Sequence, residues 1–173
     1  MRIVAGRWAG RTLVSPADRR VRPTAEAVRD AWLRSLQPHL EGARILDLFA
    51  GSGALGLEAL SRGAATADFV ETRPASLHSL RANIAALRLR DRTRVFKRDA
   101  LEFASRLEPD SYAIAFADPP YESRMLDRVI DLWRERGFSA ILTVEHAADH
   151  PLVPGGHRHL FDTTAVTTYR LGS

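Results

Sequence analysis

Residues 45–56 read Ile45-Leu46-Asp47-Leu48-Phe49-Ala50-Gly51-Ser52-Gly53-Ala54-Leu55-Gly56. The apolar start of this stretch is typical of a buried strand, and its alanine- and leucine-rich end is typical of a helix. Between them the glycines follow the spacing Gly-x-Gly-x-x-Gly, which lets a backbone turn tightly beside a ligand. The stretch therefore predicts a strand, a ligand-binding loop and a helix in succession.

Strand-like and helical segments alternate after Gly42. The predicted strands are Arg44–Phe49, Ala67–Glu71, Thr93–Lys97, Tyr112–Asp118 and Ala140–His146. The predicted helices between them are Ala54–Ser61, Pro74–Leu87, Ala100–Leu107 and Ser123–Arg136. Strands joined by helices form parallel sheets with right-handed crossovers. Two further strands, His157–Phe161 and Ala165–Arg170, are separated by Asp162-Thr163-Thr164 and predict a hairpin that adds antiparallel strands to one edge. We therefore expect an α/β fold with a Rossmann-like parallel core and a C-terminal antiparallel hairpin.

The motif Asp118-Pro119-Pro120-Tyr121 follows the fourth predicted strand. Proline cannot donate to a sheet ladder and holds the preceding residue extended, so the strand must end at Asp118. One carboxylate, two proline carbonyls and one aromatic ring are thereby brought to an edge of the sheet. This set suits a planar exocyclic amine, since it offers acceptors for two protons and a ring to stack on the base. The alternative is a turn stiffened by Pro-Pro that has no function. The position of the motif after a buried strand and downstream of a glycine-rich loop favours the functional interpretation.

Composition limits the class of protein. The chain has 173 residues, 45% of them hydrophobic and 27% charged, which is typical of one soluble globular domain. The lack of cysteine excludes disulfides, thiolate nucleophiles and zinc–thiolate sites. Residues 1–7 lack the apolar core of a signal peptide, and no run is apolar enough to span a bilayer, so we expect a cytoplasmic protein.

The N-terminal segment is strongly basic, whereas the whole chain carries a net charge of only +4. Residues 2–22 contain a single acid, Asp18, and six arginines: Arg2, Arg7, Arg11, Arg19, Arg20 and Arg22. Two β-like pieces, Arg2–Val4 and Thr12–Val14, predict a small hairpin. Such a segment attracts phosphate backbones, although a solvated charged terminus is an equally good interpretation. We treat residues 1–24 as a basic arm and residues 25–173 as the main domain; the candidate RNA-binding residues are Arg2, Arg7, Trp8, Arg11 and Arg22.

Trp8 has two interpretations of similar weight, because it can stack on RNA bases or anchor the hairpin on the domain. Thr24 is predicted as the N-cap of a helix over Ala25–Leu36, which presents Ala25, Val28, Trp32 and Leu36 on one face. Trp32 and Trp133 are predicted core residues.

The glycine loop alone does not identify a cofactor. With Glu71 at the end of the next strand, it also satisfies the dinucleotide-binding fingerprint. Asp47 favours S-adenosylmethionine, since a carboxylate repels a pyrophosphate but attracts the ammonium group of a methionine moiety. Asp99, after the third strand, can bind an adenine amino group or simply cap the next helix.

These motifs, together with Arg22-Pro23-Thr24, resemble the bacterial 16S rRNA guanine-N2 methyltransferase family over essentially the whole chain. The resemblance implies a class I methyltransferase fold, S-adenosylmethionine as cofactor, and transfer of a methyl group to the N2 amine of guanine 966 in 16S rRNA. It implies that Asp47, Glu71 and Asp99 hold methionine, ribose and adenine, and that Asp118 to Tyr121 hold the target base. The implied cofactor-binding set is Asp47, Phe49, Ala50, Gly51, Ser52, Gly53, Glu71, Thr72, Asp99 and Ala100. The expected partner is 16S rRNA, free or within the small ribosomal subunit, and we expect a monomer with no metal and no membrane partner.

Two other functions stay open at the level of sequence. An adenine-N6 or cytosine-N4 methyltransferase shares the Asp-Pro-Pro-Tyr motif, but a DNA enzyme of that kind needs a sizeable target-recognition domain that this chain has no room for. An NAD-dependent oxidoreductase fits the glycines and Glu71 but leaves Asp118 to Tyr121 unexplained. His146 and His150 lie four residues apart, and we expect them at the surface or rim rather than on a metal.

Overall fold

The computed structural model describes residues 1–16, 24–120 and 124–172. A seven-stranded sheet lies at its centre, with the strand order β3-β2-β1-β4-β5-β7-β6. The strands are β1 Arg44–Leu48, β2 Thr66–Val70, β3 Thr93–Phe96, β4 Tyr112–Ala117, β5 Ser139–Ala147, β6 His157–Phe161 and β7 Thr164–Arg170. The helices are α1 Glu26–Ser35, α2 Ala54–Ser61, α3 Pro74–Ala86, α4 Ala100–Ala104 and α5 Met125–Arg136.

The predicted fold class is confirmed. β1 to β5 pair in parallel, and β7 pairs antiparallel with both β5 and β6, so the C-terminal hairpin extends one edge of the parallel core. The predicted strands agree with the observed ones to within one residue at each end. β4 ends at Ala117, one residue earlier than expected, because Asp118 precedes a proline and pairs with neither neighbour.

Two layers of helices cover the two faces of the sheet. One face packs against α1, α2 and α3, and its core includes Trp32, Ile45 and Phe69. The other face packs against α4 and α5, and its core includes Leu46 and Trp133. Both tryptophans are buried, as predicted, and each indole N–H has a partner: Trp32 donates to Thr143 Oγ1 and Trp133 to the Ser139 carbonyl. In the described part of the chain, the structure has no helix long and apolar enough to cross a membrane.

Residues 1–16 form the predicted hairpin, which lies on α2 and α3. Arg2 and Thr12 form an antiparallel bridge, and Ile3 and Leu13 are buried in the same core as Trp32. The tip of the hairpin is held by Ser61, the last residue of α2, whose carbonyl accepts from the Arg7 N–H. Because α2 crosses back antiparallel to the strands, this tip lies at the edge of the sheet where the parallel strands begin.

The structure corrects two predictions made for single residues. Thr24 does not cap α1, since the N-cap position is Ala25 and no side chain makes the capping bond. His146 is not at the surface: β5 continues to Ala147, which buries His146 against β7, where its Nε2 is hydrogen-bonded to Thr167 Oγ1. Ala25 is exposed, and the buried side of α1 consists of Arg29, Trp32 and Leu33.

Candidate functional site

A cavity of about 920 Å³ opens at the carboxyl ends of the parallel strands. Parallel α/β sheets bind their ligands at this edge, where the loops after neighbouring strands converge. The cavity is bordered by the loops after β1, β2, β3 and β4, by the N-terminal segment at Ser15, Pro16 and Thr24, and by the β6–β7 turn. All of the predicted cofactor-binding residues except Gly53 line it, and Asp118, Pro119 and Pro120 line the same space.

The three loop glycines donate their backbone N–H groups to acceptors inside the protein. Gly51 donates to Glu71 Oε2 at 2.8 Å, Gly53 to the Ala50 carbonyl at 2.8 Å, and Gly56 to Asp47 Oδ2 at 3.0 Å. In a dinucleotide site the glycine-rich turn and helix N-terminus receive the pyrophosphate, which accepts from such groups. This loop instead presents carboxylates to the cavity, which is unfavourable for a pyrophosphate.

Asp47 lies at the end of β1 and is only 2% exposed. Burial raises the pKa of its carboxyl group to about 7, the Gly56 N–H opposes that rise, and the nearby Glu71 charge adds to it. A carboxyl group with such a pKa gains from a cationic ligand, because the ligand's charge replaces the lost hydration.

Glu71 follows β2 and is held in a single orientation. Its Oε1 accepts from the N–H groups of Thr72 and Arg73, both at 2.8 Å, and its Oε2 accepts from Gly51. Three backbone bonds fix this carboxylate between the β1 and β2 loops. Each oxygen keeps further acceptor capacity for a ligand hydroxyl group.

Asp99 takes the structural role that the sequence left open, and it also reaches the cavity. Its Oδ1 accepts from the Glu102 N–H at 2.9 Å and caps α4. The residue is exposed and lies on the cavity wall beside Ala100. The capping bond leaves carboxylate lone pairs that can accept from an adenine amino group.

Asp118 stands directly beyond β4, beside Glu145 of β5. The last residue pair in register is Ala117 with Val144, so the next residue of each strand emerges at the same height. The Thr24 hydroxyl lies 2.7 Å from Glu145 Oε2 and 3.3 Å from Asp118 Oδ2. Burial, followed by the charge of Glu145, raises the pKa of Asp118 well above its usual value; Asp47 contributes in the same direction, whereas the Thr24 hydroxyl lowers it.

The other predicted binding residues are distributed unevenly. Pro119 is buried and Pro120 is exposed, while Tyr121 and Arg22 lie outside the described residues. Arg2 is paired with Glu26 at 3.1 Å. Trp8 packs against the core, with the Arg7 and Arg92 guanidinium groups 5.5 and 5.9 Å from its ring centre. Arg7, Trp8 and Arg11 therefore share the hairpin's far end, away from the cavity, and RNA binding by them stays a prediction.

Sequence reasoning missed several residues of the cavity. Glu145 has the signal that identified the other acids, since it follows an apolar run near the end of a strand. Thr24 was interpreted from its local position before a helix, which gives no information about a partner 121 residues away. Arg73 and Arg98 are exposed on the cavity wall and add positive charge to its rim.

The chain has close relatives among known proteins. The family model described as Conserved hypothetical protein 95 matches residues 1–161. Ribosomal RNA small subunit methyltransferase D of Escherichia coli is 36% identical over 177 residues, which cover 99% of this chain and 88% of the relative. The putative rRNA methyltransferase YlbH of Bacillus subtilis is 36% identical over 135 residues, or 76% of this chain and 73% of the relative.

A solved structure has the same fold as this chain. A putative methyltransferase, yhhF, from Escherichia coli superposes with a TM-score of 0.86 at 35% identity and covers 98% of this chain and 97% of its own. The family model spans most of the chain, and the E. coli relatives match it in both sequence and fold. The chain therefore belongs to the Conserved hypothetical protein 95 family, which is the family of ribosomal RNA small subunit methyltransferase D, and it has a class I methyltransferase fold.

Proposed function

We propose that this protein transfers a methyl group from S-adenosylmethionine to the exocyclic N2 amine of one guanine in small-subunit ribosomal RNA. A single observation carries the proposal: Asp118 and the two prolines after it line the same cavity as the glycine loop and the acids that follow β1, β2 and β3. The residues that would bind an amine and the residues that would bind an adenosyl amino acid therefore line one cavity.

The residues of the cavity fit S-adenosylmethionine better than a dinucleotide. The three glycine N–H groups are used within the protein, whereas Asp47 offers a carboxylate that suits an ammonium group. We assign Asp47 to the methionine part, Glu71 to the ribose hydroxyls and Asp99 to the adenine amino group. When bound, the cofactor supplies a reactive methyl group on a positively charged sulfur.

The residues after β4 act on the target amine. The lone pair of a guanine N2 nitrogen is delocalised into the ring, so the nitrogen is a weak nucleophile. The Asp118 carboxylate and the Pro119 carbonyl accept hydrogen bonds from its two N–H groups. These bonds favour a pyramidal nitrogen whose lone pair is directed at the methyl carbon. Orientation and electrostatic preorganisation supply the rate enhancement, and Asp118 takes the proton that the nitrogen must release. Stacking of Tyr121 on a base flipped out of its helix completes the proposal.

Ribosomal RNA is the substrate that the relatives support. The names of the relatives from E. coli and B. subtilis specify rRNA, and the E. coli name specifies the small subunit. The basic N-terminal arm, which in its described part includes the exposed Arg7 and Arg11, supplies charges that an RNA backbone attracts. Guanine 966 of 16S rRNA is the position that we propose from the family resemblance.

The test is methylation of unmodified small-subunit particles, and of the free RNA, with labelled S-adenosylmethionine, followed by mapping of the modified base. We expect N2-methylguanine at one position. We expect Asp118→Ala to lower kcat about 10²–10⁴-fold without changing the affinity for S-adenosylhomocysteine, and Asp131→Asn, an exposed position on α5, to leave both unchanged. Label on an adenine N6 or cytosine N4 would replace the guanine assignment, and calorimetric binding of NAD rather than S-adenosylhomocysteine would overturn the cofactor assignment.

A further inference from the structure

Three polar side chains from distant parts of the chain meet at the proposed amine site. Thr24 precedes α1, Asp118 follows β4 and Glu145 belongs to β5. The Thr24 hydroxyl is within hydrogen-bonding range of both carboxyl groups, at 2.7 Å from Glu145 and 3.3 Å from Asp118. Glu145 is only 4% exposed, whereas Thr24 and Asp118 are half-buried at the wall of the cavity.

The Thr24 hydroxyl group cannot donate hydrogen bonds to both carboxyl groups at once. A hydroxyl group has one proton and can donate to only one carboxylate at a time, although its oxygen can also accept. Both contacts become hydrogen bonds when one of the two carboxyl groups is protonated and donates to the threonine oxygen. Two adjacent carboxylates that are partly shielded from water also repel each other, so such a pair tends to hold one proton between them.

We propose that Thr24 and Glu145 are positioning residues for Asp118: the threonine hydroxyl orients the Asp118 carboxylate towards the amine, and Glu145 shares one proton with it. This inference rests on the function proposed above. Asp118 has to be ionised to accept a proton from the target amine. Thr24 favours the ionised form by donating a hydrogen bond, and Glu145 opposes it by its charge, so the two residues act on Asp118 in opposite directions.

The groups around Asp118 act on its pKa in the directions that this division of roles requires. Burial raises its pKa most, the charge of Glu145 raises it further, the Thr24 hydroxyl lowers it, and the charge of Asp47 raises it. Among the described residues, the ionisable groups that raise the pKa of Asp118 by their charge are thus Glu145, beside it on β5, and Asp47 at the end of β1. Arg73 and Arg98 stand on the wall after β2 and β3.

The experiment compares wild type with Thr24→Val, Thr24→Ser and Glu145→Gln, using labelled S-adenosylmethionine and unmethylated small-subunit particles across a range of pH. Valine keeps the shape of threonine without the hydroxyl, whereas serine keeps the hydroxyl. We expect Thr24→Val to lower kcat about tenfold, as loss of one hydrogen bond does, and to move the acidic limb of the kcat–pH profile to higher pH. Thr24→Ser restores both. Glu145→Gln moves the acidic limb to lower pH.

If Thr24 and Glu145 had a purely structural role, their substitution would not move the pH profile in opposite directions. The proposal is overturned if Thr24→Val keeps the wild-type kcat and pH profile, if Thr24→Ser is as impaired as Thr24→Val, or if the valine and glutamine variants move the profile in the same direction. Affinity for S-adenosylhomocysteine and the Tm verify that each variant is folded. Should Thr24→Val fail to fold, the shift to lower pH in Glu145→Gln is still required.

A second measurement separates this inference from the proposed function. The Asp118 carboxyl group can be titrated directly by ¹³C NMR in the protein without substrate. A raised pKa that rises further in Thr24→Val and falls in Glu145→Gln supports the coupled pair even if wild type methylates no RNA, in which case only the proposed function fails. An Asp118 titration that neither substitution moves overturns the inference whatever the activity.

Discussion

Arg29 and Glu58 form a fully buried ion pair, with 3.5 Å between the arginine Nε and a carboxylate oxygen. The same carboxylate accepts from the backbone N–H groups of Val4 and Ala5, both at 2.8 Å, and from the Arg62 side chain. Glu58 lies on α2, the helix that follows the glycine loop. One side chain therefore fixes α1 and the N-terminal hairpin to the helix that supports the cofactor loop.

Substitution of Glu58 is expected to be severely destabilising. Glu58→Gln leaves Arg29 charged and buried without its counter-ion, and breaking such a pair costs about 3–5 kcal/mol. Urea denaturation measures the change in the free energy of unfolding. Glu102→Gln is the matched control, because both side chains of its pair with Arg106 are more than half exposed and such a pair contributes about 1 kcal/mol or less. Equal effects of the two substitutions would show that the buried pair has no special importance.

Cofactor affinity is expected to depend on pH through Asp47. Its pKa of about 7 means that the group is largely ionised at pH 8 and largely protonated at pH 6. Only the ionised form attracts the ammonium group of the amino acid moiety, so the affinity for S-adenosylhomocysteine should fall as the pH is lowered through 7. Calorimetry between about pH 5 and about pH 9, roughly two units either side of this pKa, tests this. Asp47→Asn should bind more weakly and lose the dependence; a pH-dependent affinity in that variant would assign the effect to another group.

Asp47 is also expected to destabilise the protein that has no ligand. Its pKa is raised by folding from 3.8 to about 7, so the stability associated with the protonated form is fully present below 3.8 and is lost as the pH rises through 7. Asp47→Asn should therefore raise the free energy of unfolding by about 2–4 kcal/mol at alkaline pH. The gain should shrink as the pH is lowered towards 5, because the wild-type carboxyl group becomes neutral. Urea denaturation at several pH values measures it, and a gain independent of pH would contradict the raised pKa.

The elements of the fold could be predicted because their causes are local. The run Tyr112 to Ala117 is apolar and ends before Asp118-Pro119, so both the strand and its end follow from neighbouring residues. The acids at strand ends were found in the same way, since parallel strands bring their carboxyl ends to one edge. What the sequence did not show depends on partners distant in the chain.

Thr24 illustrates that limit. A threonine before a helix normally caps it. Here the hydroxyl forms no cap and lies within hydrogen-bonding distance of two acids, one just after β4 and one on β5. The choice between two cofactors was open for a similar reason. The spacing of Gly51, Gly53 and Gly56 is shared by dinucleotide sites and S-adenosylmethionine sites. Only the structure shows that Glu71 accepts a hydrogen bond from the Gly51 N–H and Asp47 one from the Gly56 N–H.

The N-terminal arm is expected to contribute to RNA binding through its exposed arginines. Arg7 and Arg11 are exposed, and the Arg11 guanidinium donates to the Ala86 carbonyl, at the end of α3. That helix is about 20 Å long and begins beside the cavity at Pro74, so an RNA that contacts both sites must extend along it. Arg7→Gln with Arg11→Gln should weaken RNA binding and reduce the slope of affinity against salt concentration by about 1–2, with unchanged affinity for S-adenosylhomocysteine.

The control for the arm is Arg106→Gln with Arg128→Gln. These two exposed arginines, one just after α4 and one on α5, lie on the opposite face of the sheet. It removes the same charge, so it should lower non-specific attraction slightly without changing the slope. If the arm variant behaves like this control at every salt concentration, the basic hairpin has only solvated charges. RNA phosphates would then have to be neutralised nearer the cavity, where Arg73 and Arg98 are exposed on its wall.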